Sequence, residues 1–415
     1  MTWAGTVLGC GIYVLLGRWL MGARVRGRHA AFALLNLAVI YAFVASAKGD
    51  LFASVLIAAN LLLLVTHYAA LRLWSDRSGW LPWLAFMIPI AALVVVRYVP
   101  IGAFGLLSGK LRDHLARHPE VDLASRFVGL SYLAFRTSHL VLQIRNGVVQ
   151  KPSFSEYVGF ALFAPTLLVG PISPYSEHKR AFGDKDRPQI PVGRALLRVL
   201  VGAVKYKFIG PLIYQLTYAP LLLDGHPHPW IDLPVAVVAY YMFLYCNFSG
   251  FCDIAIGSAG LMGISVAENF DTPFAARNIK DFWNRWHITL SHYMRDVLFS
   301  PLSKALVRIF GPTWANHAIA LTIIVVFLLV GVWHGVGWNY AAFGLAHAFG
   351  VVVNHYYTIT LKKHLGKDRF VSYNRNQAIK TVAVTGTFLY AAATLFLFAN
   401  DFSSARNIFS MIYTH

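Results

Sequence analysis

Long apolar stretches separated by short polar segments run along the whole chain. A helix needs about 20 predominantly apolar residues to cross the hydrocarbon core of a bilayer. On that criterion the sequence predicts roughly eleven membrane spans, some of them interrupted by Gly and Pro and therefore short, tilted or re-entrant. The predicted spans are Trp3–Met21, Ala30–Ala47, Leu51–Leu71, Trp80–Val96, Val128–Leu142, Tyr157–Ile172, Ala195–Tyr214, Leu233–Phe248, His317–Trp333, Asn339–Tyr356 and Ile379–Phe398. We therefore expect an all-α, polytopic membrane protein with a single domain over residues 1–415.

The composition excludes a soluble enzyme. Of the 415 residues, 57% are hydrophobic and 13% are charged, whereas soluble domains carry about 25% charged residues. The net charge of +18 would indicate nucleic acid in a soluble chain. In a chain this apolar it indicates the Lys and Arg excess of cytoplasmic loops instead, so no nucleic-acid partner is expected. The first loop carries Arg24, Arg26 and Arg28, which predicts an extracytoplasmic N-terminus.

No common catalytic or metal-binding motif is present. The three cysteines, Cys10, Cys246 and Cys252, form no C-x-x-C pair, and all lie in apolar stretches. The sequence has no G-x-S-x-G, H-E-x-x-H or Walker motif. These absences argue against a serine hydrolase, a zinc hydrolase and an ATP-driven pump, and we expect no bound metal.

The segment 278–299 differs from a plain membrane helix. It contains neither Gly nor Pro, so the pattern predicts a helix with an aromatic and apolar face and a more polar face. On the polar face, Asp281 and Arg285 form an i,i+4 pair. The helix either anchors the chain at the membrane surface or lines a cavity with its polar side. The position of His287 beside Trp286 favours the second interpretation.

A single histidine, His334, follows a long apolar run that ends at Trp333. Ionisable groups at membrane depth are costly, so they pair with another group or face a polar cavity. His334 either hydrogen-bonds a neighbouring helix or acts as a general base, because burial keeps an imidazole neutral. A third stretch, residues 247–263, places Asp253 among small and apolar residues. That carboxylate needs a partner.

Taken together, these stretches resemble the membrane-bound O-acyltransferase family. The match is concentrated in residues 247–350. The residues that carry it are Ser249–Ser258, Glu268–Phe270, Pro273–Phe274, Asp281–Ser291, Arg295–Asp296, Val332–Gly335 and Trp338. Within the family, Gly129–Arg136, Gln143–Gly147 and Val169–Ile172 are most similar to the branch that takes part in the D-alanylation of teichoic acids.

The resemblance implies a ring of helices, with interfacial and re-entrant segments, around a central tunnel. It implies that His334 is the catalytic base and that His287 is a second catalytic histidine. The donors for an oxyanion would be His287, Asn284 or backbone N–H groups. Further substrate or tunnel-lining candidates are Asn284, Arg285, Trp286, Ser291, Asp253, Trp333 and Trp338.

The function implied is transfer of an acyl group, preferably D-alanyl, from a thioester to a hydroxyl of a cell-envelope polymer or lipid-linked intermediate. The donor would be the phosphopantetheine arm of an acidic carrier protein on the cytoplasmic side of a bacterial plasma membrane, with no tightly bound cofactor. A partner acyltransferase outside the cytoplasm would complete the transfer. Two alternatives stay open. One is O-acetylation of an exopolysaccharide of the alginate type, and the other is a proton-coupled transporter or flippase.

Overall fold

A computed structural model describes residues 3–22, 25–98, 129–183, 189–222 and 228–414. The first residue of the predicted span Val128–Leu142 and the loop residue Arg24 lie outside these ranges. The described α-helices are α1 (Trp3–Gly22), α2 (Arg28–Lys48), α3 (Asp50–Trp74), α4 (Leu81–Tyr98), α5 (Leu130–Arg145), α6 (Phe154–Ala161), α7 (Ala164–Leu167), α8 (Tyr175–Arg180), α9 (Val192–Val204), α10 (Gly210–Tyr214), α11 (Tyr218–Leu222), α12 (Pro229–Met262), α13 (Ile279–Trp283), α14 (Ile288–Met294), α15 (Ser300–Phe310), α16 (Ala315–His334), α17 (Trp338–Arg375), α18 (Gln377–Ala399) and α19 (Phe402–Thr414).

Six of the described helices are long and apolar enough to cross a membrane. The candidate spans are Arg28–Lys48, Asp50–Trp74, Leu81–Tyr98, Trp230–Met262, Pro312–His334 and Gln377–Ala399. The expectation of an all-helical membrane protein is thus confirmed, whereas the count of eleven spans is not. The expected continuous span Tyr157–Ile172 is wrong. The chain there forms the short helices α6 and α7 and then runs irregularly to Pro174. Pro165 stands in the first turn of α7 and Pro171 follows its end, and a helix interior tolerates neither.

The helices group into two compact units, and the expectation of one domain over the chain stays a prediction. The first unit comprises Met1–Val201 and Phe251–Ala267. A buried arginine supports its irregular segment. The guanidinium of Arg136 donates to the carbonyl of Phe160 at 3.1 Å, and to the carbonyl and hydroxyl of Thr166 at 2.8 and 2.7 Å. These bonds satisfy backbone acceptors that a regular helix would have satisfied internally.

The second unit comprises Gly202–Gly250 and Glu268–His415. Its α16 and α17 form an antiparallel pair that approaches closely at two glycines. A Cβ atom on Gly331 would collide with the backbone of Tyr340 and of Gly344, and one on Gly344 would collide with the carbonyl of Phe327. Small residues at a helix crossing allow this close contact between membrane helices. The crossing lies next to His334, at the C-terminal end of α16.

The predicted continuous helix over 278–299 is also wrong. The chain forms α13, leaves the helical conformation, forms α14, and then continues as a π-helix over Arg295–Phe299. In the break Trp286 forms an antiparallel bridge with Phe270, and His287 adopts a left-handed conformation with φ 46° and ψ 51°. Nothing in the local pattern forbids a helix here, so the pairing with a segment distant in sequence decides the break.

The close crossing yields a stability prediction. Replacing Gly344 with Val forces α16 and α17 apart, and overpacking of this kind costs roughly 1–3 kcal/mol. We expect a clearly lower melting temperature for detergent-solubilised Gly344→Val than for the wild type. The matched control is Gly386→Val in α18, where a new Cβ atom meets nothing within 4 Å. Equal melting temperatures for the two variants would contradict the proposed role of the crossing.

Candidate active site

His287 occupies an unusual backbone position. Its left-handed conformation is rare for a residue other than Gly, and such strain is often found at functional sites. The turn is held on both sides, because the amide of Asp271 donates to the carbonyl of Arg285 and the amide of Ile288 donates to the carbonyl of Asn269, each at 3.0 Å. Only 3% of His287 is exposed. The fold therefore aims this side chain into the interior of the unit.

The imidazole of His287 has one hydrogen-bonded nitrogen and one open nitrogen. Its Nδ1 atom lies 3.1 Å from Oδ1 of Asn269. Its Nε2 atom is buried and has no hydrogen-bond partner among the described residues. His287 lies outside the six candidate spans, and burial, assisted by nearby His334, lowers its pKa to about 3. The ring is therefore neutral at physiological pH, with a nitrogen available to a ligand.

The structure places both His334 and His287 near Trp333. The ring centroids of Trp333 and His334 are 4.6 Å apart, and those of Trp333 and His287 are 6.4 Å apart. His334 also contacts the edges of Phe398 and Phe343, at 5.0 and 6.0 Å. It is half-buried. Aromatic walls keep the local dielectric low, which strengthens any electrostatic or proton-transfer interaction there.

The other candidates from the segment 278–299 separate into two groups. Asn284 and Ser291 face a cavity. Arg285 forms ion pairs with Asp281, at 3.0 Å, and with Asp271, at 3.7 Å. Trp286 is buried and stacks on Phe282 with centroids 5.6 Å apart. Arg285 and Trp286 thus stabilise the turn that presents His287.

The cavity has a volume of about 610 Å³ and is lined entirely by the second unit. Its apolar wall follows α16 from Ile319 to Val330, and Val330 lies one turn before His334. Basic side chains contribute to its lining, and no Asp or Glu does. The basic residues are Lys280, Arg295 and Lys362, accompanied by His292 and His355. The cavity therefore combines an apolar wall with an excess of basic side chains.

Two candidates are placed differently. Asp253 lies in the first unit and pairs with Arg198 at 3.0 Å, so its carboxylate has the partner that the sequence required. That pair joins α9 to the C-terminal part of α12, where Gly257 packs against Ala195. Trp338 begins α17 and is 80% exposed. Among the described residues, no group of three or more His, Cys, Asp or Glu side chains is placed to hold a metal ion.

Sequence reasoning missed the role of a third histidine, His347, on α17. The indole Nε1 of Trp283 donates to its Nδ1 at 3.2 Å, and the hydroxyl of Thr394 lies 3.1 Å from its Nε2. His347 also packs on Phe343, which in turn contacts His334. It therefore links α13, α17 and α18 beside the site. A buried histidine in an apolar helix was the available signal.

This link is testable through stability. His347→Leu leaves the buried N–H of Trp283 without an acceptor, which costs about 1–3 kcal/mol. His347→Gln offers a carbonyl oxygen to Trp283 and an N–H to Thr394. We expect the Leu variant to melt well below the wild type and the Gln variant to recover most of the difference. Variants of equal stability would show that these hydrogen bonds contribute nothing.

Comparison with known proteins identifies the family of the chain. Residues 66–398 match the membrane-bound O-acyltransferase family. A teichoic acid D-alanyltransferase of Streptococcus thermophilus is 35% identical over 59% of this chain and 60% of its own length. A teichoic acid D-alanyltransferase of Bacillus subtilis is 30% identical over 66% of this chain and 68% of its own length. A peptidoglycan O-acetyltransferase of Helicobacter pylori is 32% identical over 51% of this chain and 39% of its own length.

The structure thus defines a helical membrane protein in which two histidines lie near the same tryptophan. The chain is a member of the membrane-bound O-acyltransferase family, since the family match covers most of its length. The aligned part spans about three fifths of the Streptococcus relative.

Proposed function

We propose that this protein transfers an acyl group, with D-alanyl preferred, from a carrier-protein thioester to a hydroxyl of a cell-envelope acceptor. The observation that carries the proposal is the pairing of His334 with His287, whose buried Nε2 atom is open to a ligand. The preference for D-alanyl rests on the two teichoic acid D-alanyltransferases among its relatives. The proposed location is a bacterial plasma membrane, with the N-terminus outside the cytoplasm.

The reaction requires a general base and an electrophilic carbonyl carbon, which the thioester already activates. His334 takes the proton of the acceptor hydroxyl as its oxygen attacks the thioester carbonyl. The carbon–oxygen bond forms, the carbon–sulfur bond breaks, and the proton passes from His334 to the departing thiolate. General-base catalysis of this kind contributes typically 10²–10⁴-fold. No nucleotide is needed, because the thioester supplies the driving force.

The cavity supports a phosphopantetheine thioester as the donor. This arm is thin and carries a phosphate, which suits a cavity that has an apolar wall and basic side chains in its lining. The cavity follows α16 as far as Val330, one turn before His334, although neither His334 nor His287 is among its lining residues. An acidic carrier protein, presented from the cytoplasm, would be attracted by the same basic residues. An acceptor polymer or lipid-linked intermediate, with a partner acyltransferase, would be met on the other side of the membrane.

A second candidate function is O-acetylation of an envelope polysaccharide. The peptidoglycan O-acetyltransferase of Helicobacter pylori and a probable alginate O-acetylase of Pseudomonas aeruginosa, 28% identical over 54% of this chain and 42% of its own length, favour it. The same base and the same thioester chemistry apply. The two functions differ in the acyl group and the acceptor.

The central test is acyl transfer by the purified full chain in proteoliposomes. With carrier protein loaded with labelled D-alanine, we expect His334→Ala to lower the transfer rate by about 10²–10⁴-fold while carrier binding is retained. The matched control is His317→Ala, since His317 lies near the other end of α16 and bonds Tyr356.

A normal transfer rate for His334→Ala would refute the assignment of the base. Transfer of acetyl but not D-alanyl groups by the wild type would favour the second candidate. Mass spectrometry of the envelope polymer with and without this protein identifies the group and its attachment point.

Carrier docking generates a separate prediction. Because exposed charges are screened by salt, the affinity for the carrier should fall as the NaCl concentration rises. Lys280→Gln should weaken binding, because Lys280 contributes to the basic lining of the cavity. Lys48→Gln should not, since Lys48 is exposed and does not line the cavity. Salt-independent binding in a pull-down or calorimetric titration would argue for an apolar contact instead.

A further inference from the structure

Asn269 contacts three consecutive residues, His287, Ile288 and Thr289, at the turn that presents His287. Its backbone carbonyl accepts the amide of Ile288 at 3.0 Å. Its side-chain Oδ1 accepts the amide of Thr289 at 3.2 Å and the hydroxyl of Thr289 at 2.9 Å, and it lies 3.1 Å from Nδ1 of His287. Asn269 is 1% exposed. A polar side chain so deeply buried and so heavily bonded is an ordered part of the site.

These contacts determine where the proton of His287 lies. A backbone amide can only donate, so the Asn269 atom that faces the Thr289 amide is the carbonyl oxygen and not the NH₂ group. An oxygen that only accepts requires a donor on the imidazole, so Nδ1 of His287 carries the hydrogen. Neutral imidazole has a single N–H. Its Nε2 atom therefore presents a lone pair to the interior of the site.

We propose that Asn269 is a positioning residue that fixes His287 as the Nδ1–H tautomer and makes its Nε2 atom a hydrogen-bond acceptor for substrate. The assignment of that substrate as the acceptor hydroxyl or the pantetheine thiol rests on the proposed function above. In this tautomer His287 cannot donate to an oxyanion. That task falls to Asn284 or to backbone N–H groups, and His287 orients a proton-bearing group toward His334.

The surroundings of His287 support a neutral acceptor. Phe248 approaches it edge-on at 4.8 Å between centroids, and the ring of Trp333 lies at 6.4 Å. Among the described residues, the titratable group whose charge bears on His287 is His334. A positive charge on either histidine would disfavour one on the other. Asn269, which is uncharged, provides orientation without stabilising an imidazolium, as a carboxylate would.

The first test observes the tautomer directly and needs no substrate. Nitrogen NMR of the full chain with ¹⁵N-labelled histidine, compared with His287→Asn for assignment, should show a protonated Nδ1 and an unprotonated Nε2 at neutral pH. A protonated Nε2 would overturn the proposal. Because acyl transfer is not measured, this result is independent of whether the proposed function is correct.

The second test changes the charge at the same atom. In Asn269→Asp, a carboxylate beside Nδ1 favours the imidazolium, and such a neighbour raises a pKa by about 1–3 units. We expect the NMR titration of His287, and the acid limb of the transfer rate, to move to higher pH, with activity recovering once the pH exceeds the new pKa.

The matched control is Asn376→Asp, which makes the same change where Asn376 caps α18 by accepting the amide of Ile379. It should leave both profiles in place. If His287 titrates in Asn269→Asp as it does in the wild type, Asn269 does not position it. A shift in the NMR titration without any acyl transfer by the wild type would refute the proposed function alone.

Discussion

A polar group surrounded by apolar side chains must find its hydrogen-bond partner within the protein, because hydrocarbon offers none. The unusual local structures in this chain follow from that constraint. Arg136 satisfies carbonyls of the irregular segment after α6, and Arg198 compensates Asp253. His347 accepts the indole N–H of Trp283. In each case a buried or half-buried polar side chain helps to fix the position of a segment.

In the candidate active site, the two ring nitrogens of His287 differ in whether the protein supplies a hydrogen-bond partner. Asn269 satisfies Nδ1 of His287, while the buried Nε2 atom has no partner among the described residues. An unpaired polar atom in a low-dielectric site costs free energy. A ligand that supplies the missing donor recovers that cost, so the unpaired nitrogen favours binding of a hydroxyl or thiol. The strained backbone of His287 and the π-helix that follows α14 are consistent with a functional segment.

The sequence was most informative where a long apolar stretch is compatible with a single membrane helix. Spans such as Ala30–Ala47 and Ile379–Phe398 correspond to helices α2 and α18 with ends displaced by at most two residues. The family motifs identified His334 and His287, and the structure places these two side chains around Trp333. Local pattern failed over 278–299. A helix was permitted there, but Trp286 pairs with Phe270, which lies outside the segment.

The amino-acid sequence by itself determined that this protein lies in a membrane and which reactive side chains it carries. Hydropathy and side-chain chemistry are properties of each residue, so they can be assigned without knowledge of the fold. The tertiary structure alone decided which of those groups meet. It gave Asp253 an ion-pair partner in one unit, and in the other it joined His287 to Asn269 and His347 to Trp283. Contacts between distant residues depend on how helices cross and where they break. A short stretch of sequence does not show which distant residues it will meet.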